Sequence, residues 1–407
     1  MRRLPALLVV CLAVFVDMLG FGIILPLLPF HIASLGGSGV WLGAIMTAYA
    51  AAQFLAAPVL GALSDRYGRR RLLVLSLAGS AVSMALTGLA GSLPLLLAAR
   101  LVAGGCGGSI AVAQAYVVEL VEPRNRLRAL GAVGASIGFG FVVGPAIGAG
   151  LAGLGTGFAG ACFVAAGIAV VNIGLALALL PRRAVATTGG SVAAPASRPG
   201  RFGGITAALR NPSIRPVLLA IFITMAAFAG METTFAYLGA ARFNLTAAGL
   251  GIVFTGVGIV LIVVQGGLVG RAADRFGDRR VAVGGAVLLA AGLVVLPFAP
   301  AFVAYPALGV VAVGQGLLTT TTAALIAKAT AEGGAELGGA MGVGQSAASA
   351  ARALGPLAAG AAYDVAMPMP YLASAVLCGV AVMLLARGRS RHASSAVAGE
   401  HGVPAEP

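Results

Sequence analysis

The stretch GALSDRYGRRR, residues 61–71, interrupts a chain of long apolar runs and returns as GRAADRFGDRR at 270–280. In both copies Asp, Arg, an aromatic residue and Gly follow one another, so Asp65 corresponds to Asp274 and Gly68 to Gly277. A compact charged cluster with a turning glycine, set between apolar segments, reads as a hairpin at a membrane edge. Its repetition divides the chain into two similar halves.

Composition supports the bilayer as the solvent. With 59% hydrophobic and 9% charged residues among 407, the chain lacks the polar surface to cover a soluble domain. Roughly 20 apolar residues cross a hydrocarbon core about 30 Å thick. Segments of that kind lie at 6–30, 41–63, 72–92, 94–118, 128–152, 158–180, 214–238, 247–269, 281–299, 301–326, 339–361 and 369–386, which predicts twelve spans. The opening MRRLPALLVVCLAVFVD resembles a secretory leader, but its apolar run continues to Phe30 and is read as the first span.

The net charge of +14 suggests nucleic acid only until the basic residues are placed. They sit in short loops and not in an aromatic-interleaved patch, so no nucleic-acid partner is expected. With the N-terminus inside, the loop Arg residues and Lys328 fall on one side and Arg242 alone on the other, so both ends are expected in the cytoplasm. The Gly/Pro/Ala/Ser/Arg-rich stretch from 181 to 213 is expected to be a cytoplasmic linker between a half at 1–180 and a half at 214–387, and 388–407 a cytoplasmic disordered tail.

Catalysis finds no constellation. Cys11, Cys106, Cys162 and Cys378 lie in apolar spans without metal-binding spacing; His31 is at a span end, and His392 and His401 are in the tail. No metal, cofactor or enzymatic activity is expected. GTGFAG at 155–160 has the GxGxxG form but follows a span, not a strand, and is discounted as a nucleotide loop.

Three features carry chemistry. In the first hairpin Gly61 and Gly68 permit close approach and turning, while Asp65 with Arg66, Arg69 and Arg70 forms charge-assisted bonds at the membrane edge and faces a helix N-terminus, as a latch does. In GFGFVVGPAIGAG, 138–150, Gly140, Gly144 and Gly148 share one helix face suited to tight contact, and Pro145 adds a kink. Asp17, Arg100, Glu232 and Arg352 are ionisable at membrane depth, where a charge is costly unless paired or hydrated.

The two hairpins, together with DMLGFGIILPLLP at 17–29, YAAAQFLAAPVLGALSDRYGRR, LLAARLVAGGCGG and GFGFVVGPAIGAG in that order, resemble the major facilitator superfamily, in its drug:proton antiporter branch near the tetracycline exporters. The resemblance covers nearly the whole chain. It implies an all-α integral membrane protein of twelve helices in two six-helix pseudo-symmetric halves, working by alternating access as a monomer in the inner (plasma) membrane. Its partners would be a small-molecule substrate, protons and the lipid bilayer.

The resemblance also assigns roles. Asp65 would hold the halves in the outward-facing state, with Asp274 in a degenerate copy where Asp278 replaces a basic residue. The glycines of the fifth helix would seal the halves against leak. The first, fourth, seventh and tenth helices would line the cavity, so Asp17 and Glu232 would carry protons with Arg100 as the modulating charge, and Arg352 would add an intramembrane charge. Tyr49, Gln53, Gln114, Phe228, Phe235, Tyr237 and Gln315 are the candidates for the remaining lining. Ser83, Leu261 and Leu289 stand where the tetracycline exporters carry polar or acidic residues, which points to a more lipophilic substrate. The expected function is export of a small lipophilic or amphipathic compound in exchange for protons. A metabolite or sugar symporter of the same fold is the alternative, disfavoured by the glycine pattern of the fifth helix.

Overall fold

The computed structural model describes residues 3–107, 109–121, 126–180, 211–212, 214–332 and 337–387. All but two residues of the expected linker, and the whole expected tail, lie outside them. The described residues form fifteen α-helices and no strand: α1 (Arg3–Ile24), α2 (Leu28–Ser34), α3 (Gly39–Tyr67), α4 (Arg69–Gly88), α5 (Leu93–Cys106), α6 (Ser109–Leu120), α7 (Arg126–Gly153), α8 (Gly157–Leu179), α9 (Arg215–Phe243), α10 (Ala247–Val263), α11 (Val269–Phe276), α12 (Asp278–Val295), α13 (Ala301–Glu332), α14 (Leu337–Val365) and α15 (Met369–Arg387). A π-turn, Val264–Leu268, joins α10 to α11. Long helices are what apolar sequence must form where no water can satisfy the backbone.

Among the described residues nine segments are long and apolar enough to cross a membrane, against the twelve spans expected. The other three expected spans fall short for identifiable reasons. The fourth is broken at Gly107 into α5 and α6, α12 opens on Asp278, Arg279 and Arg280, and α14 is built largely of Gly, Ala and Ser. With 18 residues α12 has no stretch of that length free of its three opening charges, whereas α4, which opens on three Arg residues, is two residues longer; α14 loses hydropathy to its small side chains.

The halves repeat one packing scheme. In the first, α1 packs on α7, α4 on α8 and α5, and α3 on α5; in the second, α9 packs on α14, α12 on α15 and α13, and α10 on α13. Large apolar side chains stand exposed along α4 (Leu75, Val82), α8 (Val170, Val171), α12 (Val287, Val294) and α15 (Val376, Met383). These are the third, sixth, ninth and twelfth expected spans, and such stripes suit lipid contact.

The halves meet through two seams, α3 on α14 and α7 on α10. Call the end of the bundle at which α1 begins the near end, and the opposite one the far end. Both seams are tight toward the far end. A Cβ on Gly43 of α3 would lie 2.8 Å from Leu357 Cα, and one on Gly251 of α10 would lie 2.6 Å from Pro145 O. Toward the near end, a Cβ on Gly61, Gly134 or Gly342 of the same seam helices meets no described atom within 4 Å. The closest approach of the halves therefore lies toward the far end, and the space between the seams on the near side of it is the groove.

Candidate functional site

The two hairpins fold alike. Gly68 (φ 95°, ψ 136°) and Gly277 (φ 82°, ψ 144°) each end one helix and start the next in a conformation that a side chain strains. Before each glycine an Arg lies over the neighbouring ring, Arg66 over Tyr67 at 5.5 Å and Arg275 over Phe276 at 5.4 Å. Two residues beyond each glycine an Arg donates to the last turn of the neighbouring helix, Arg70 to Leu177 O and Arg279 to Leu385 O. Arg69 Nε donates to Glu119 Oε1 at 2.8 Å and its Nη1 to Ser64 Oγ, which ties the hairpin to α6. In the second half the equivalent place holds Asp278, paired with Lys328 of α13 at 2.5 Å. Asp274 is exposed. The Asp65 side chain lies outside the described residues, and Gly61 makes no close approach here.

The glycines of α7 serve the interior of their own half. A Cβ on Gly140 would lie 2.5 Å from Met18 Cβ, one on Gly144 would lie 2.7 Å from Gly22 Cα, and one on Gly148 would run into Ile23 O, all on α1. Contact with the other half comes from the adjacent face, where Val142, Pro145 and Ala149 meet Gly258 and Gly251 of α10. The seam and the glycine stripe are thus two faces of one helix.

Midway along the bundle the charges gather around Tyr49. Asp17 of α1 is half-buried and within electrostatic reach of Tyr49, as are Arg100 of α5 and Arg352 of α14. Glu232 of α9 is half-buried and faces Arg352. Arg352 is exposed, and because its electrostatic partners lie on α3 and α9 it looks into the groove and not out to lipid. Arg100 differs: it is 2% exposed and donates to Thr87 Oγ1 on α4 at 3.2 Å, inside its own half.

The remaining candidates separate by surroundings. Tyr49 stacks on Phe21 at 5.0 Å, and Phe21 meets Phe141 edge-on at 5.8 Å, so the three rings form one aromatic cluster. Gln53 Nε2 donates to Gly107 O at 2.9 Å, satisfying the carbonyl freed where α5 breaks. Phe235 is 0% exposed and packs on Phe254 in the second-half core, with Phe228 at its edge. Tyr237 packs on Tyr363 at 5.8 Å. Gln315 is buried, its Nε2 donating to Thr319 Oγ1 at 3.4 Å, and Gln114 is exposed on α6. Ser83 and Leu289 are wholly buried within their own halves, Ser83 donating to Ser80 O. They do not face the groove, so they carry no argument about substrate in this conformation.

Phe21, Phe141, Glu119 and Thr87 are participants that the sequence alone did not single out. Glu119 was within reach of it, as the sole acid of an apolar segment ending near the first hairpin.

The sequence matches the family profile of the Major Facilitator Superfamily over residues 10–268 and 233–407. The chain belongs to the major facilitator superfamily. As in that family, it is a multi-pass membrane transporter and not an enzyme. Among superfamily relatives, the tetracycline resistance protein, class C, of Escherichia coli is 30% identical over 77% of this chain and 79% of its own length. The crystal structure of the human organic anion transporter MFSD10 (TETRAN) covers 94% of this chain and 99% of that one at a TM-score of 0.67 and 23% identity. A bacterial homologue of the human lysosomal transporter Spinster, solved inward-facing and unoccupied, covers 94% of this chain and 92% of its own at a TM-score of 0.71 and 16% identity. The two structures share the superfamily fold with this chain.

Proposed function

We propose that this superfamily member exports a small lipophilic or amphipathic compound in exchange for protons, by alternating access, from an inner (plasma) membrane in which the near end is cytoplasmic. The observation that carries the reading is the placement of two half-buried carboxylates, one from each half: Asp17 within reach of Tyr49, and Glu232 facing Arg352, which also reaches Tyr49. A carboxylate there can take a proton on one side and release it on the other as the halves rock, because its exposure changes with each state. The aromatic cluster of Phe21, Tyr49 and Phe141 offers flat apolar surface to an amphipathic compound. The relation to a tetracycline resistance protein supports efflux, and the crowding of Arg at the near end supports the orientation.

A second reading is favoured by Arg352, whose exposed guanidinium looks into the groove and would suit an organic anion. Inverted membrane vesicles separate the two. With the vesicle interior acidified, the first reading expects accumulation of neutral and cationic lipophilic compounds with release of protons outward. Accumulation confined to organic anions favours the second, and no response to the proton gradient by any compound sinks the exchange mechanism. The orientation is tested on intact cells, where a membrane-impermeant thiol reagent should modify Asn244→Cys and spare Ser191→Cys.

A further inference from the structure

Two helices begin at the far end against the opposite half, and they are capped differently. The first turn of α10 is capped by its own chain: Gly249 N donates to Thr246 Oγ1 at 3.3 Å. The N-cap residue of α3, Ser38, makes no side-chain hydrogen bond to its helix. The first amides of α3 instead reach the other half, Gly39 N donating to Asp364 Oδ1 at 2.7 Å and Val40 N to Asp364 Oδ2 at 2.9 Å. Asp364 is the penultimate residue of α14.

Both carboxylate oxygens are therefore engaged on the positive end of a 29-residue helix, where dipole and charge-assisted bonding act together. The approach depends on small residues. A Cβ on Gly39 would lie 2.7 Å from Asp364 Oδ1 and from Gly360 O, and one on Gly360 would run into Gly39 O.

We propose that Asp364 is the clasp of the far end: a carboxylate of one half that serves as the N-cap of a helix in the other, made while the far end is shut and broken each time it opens. The inference rests on alternating access in this superfamily and on nothing about the substrate or the proton. When the halves part, α3 loses both acceptors and its first turn passes to water; when they close, the two bonds re-form and set the register of Gly39 against Gly360. The clasp is a two-state contact and not a continuous spring.

The test uses the full chain with its four cysteines replaced, reconstituted in nanodiscs, with spin labels on Leu154→Cys and Phe302→Cys, exposed positions at the far ends of the two halves. Asp364→Asn removes the charge and one acceptor and keeps the side-chain volume. Its expected effect is a rise of roughly tenfold in the ratio of long to short label distances, the change expected when charge-assisted hydrogen bonds of one state are weakened. An unaltered distance distribution overturns the proposal. A second variant, Ser38→Asp with Asp364→Asn, offers α3 a cap from its own chain. The clasp requires the long distances to persist in it; their disappearance would mean that Asp364 serves only the stability of α3, and would overturn the proposal as well. Loss of proton-driven transport with the distances behaving as expected would count against the exchange activity and leave the clasp standing.

Discussion

Lys328 Nζ lies 2.5 Å from Asp278 Oδ2, and this pair is the Arg69–Glu119 contact of the other half with its charges exchanged. The residue after the turning glycine is cationic in one half and anionic in the other, and its partner on the fourth or tenth span is the complement. The departure of GRAADRFGDRR from its first copy at Asp278 is thus compensated some fifty residues on by the chain's sole lysine.

This compensation predicts a rescue. Lys328→Glu places two acids together at the second hairpin and should slow transport roughly two- to fivefold at low salt, with little change in folding because Lys328 is 69% exposed. Adding Asp278→Lys should return the rate to within about twofold of the original. Transport in vesicles at low and high ionic strength measures both, and a Lys328→Glu rate equal to the parent's at low salt contradicts the pairing.

The turning glycines predict a matched cost. Gly68→Ala and Gly277→Ala should each lose about 1–3 kcal/mol, because both positions hold positive φ with extended ψ. Gly61→Ala, which meets no described atom, should be neutral or gain up to about 1 kcal/mol of helix propensity. Thermal unfolding in detergent compares the three; an unstable Gly61→Ala beside an unperturbed Gly68→Ala would reverse the assignment.

Much of the architecture was legible because its signals are local. The repeated Asp-Arg-aromatic-Gly hairpins, the long apolar runs and the glycine spacing of 140, 144 and 148 each reside in one short stretch. What the sequence did not reveal is direction. Helices apolar on every side carry no periodic signal for the face that meets each neighbour, so the α7 glycines could be read as the seam between halves when they face α1. Asp364 was invisible for another reason: it caps α3 from 325 residues away, and nothing local to either residue signals the pairing. Arg100 looked like a cavity charge by its helix alone, whereas the threonine that receives it, Thr87, is on the span before it.

The α1–α7 contact predicts a severe local response. Gly144→Ala drives a methyl toward Gly22 Cα at 2.7 Å, backbone against backbone, and should cost about 1–3 kcal/mol. Gly150→Ala, on the same helix but facing no described atom within 4 Å, is the control and should be near neutral. Melting temperatures in detergent decide it, and equal stability of the two variants would deny the close approach.

Coupling predicts a separation of binding from work. Asp17→Asn and Glu232→Gln should each retain substrate binding while proton-driven accumulation falls roughly tenfold or more, and at least one should still equilibrate substrate down its own gradient. Arg100→Gln, which removes a charge bonded inside its own half, should cost stability as well as rate. Should both single carboxylate variants and the double variant pump at the parent's rate with the parent's pH dependence, neither acid carries the proton.

The π-turn at Val264–Leu268 has a consequence for how the two halves can differ in length. From capped start to turning glycine the second span of the first half has 29 residues and its counterpart, Ala247–Phe276, has 30. A wider turn stores one residue without lengthening the rod or rotating the rest of the helix by a full helical step. Everything past it keeps its partner: Gly277 still turns where Gly68 turns, and Arg279 still finds Leu385 as Arg70 finds Leu177. The widening is confined to five positions, and the hairpin contacts beyond it match those of the first half.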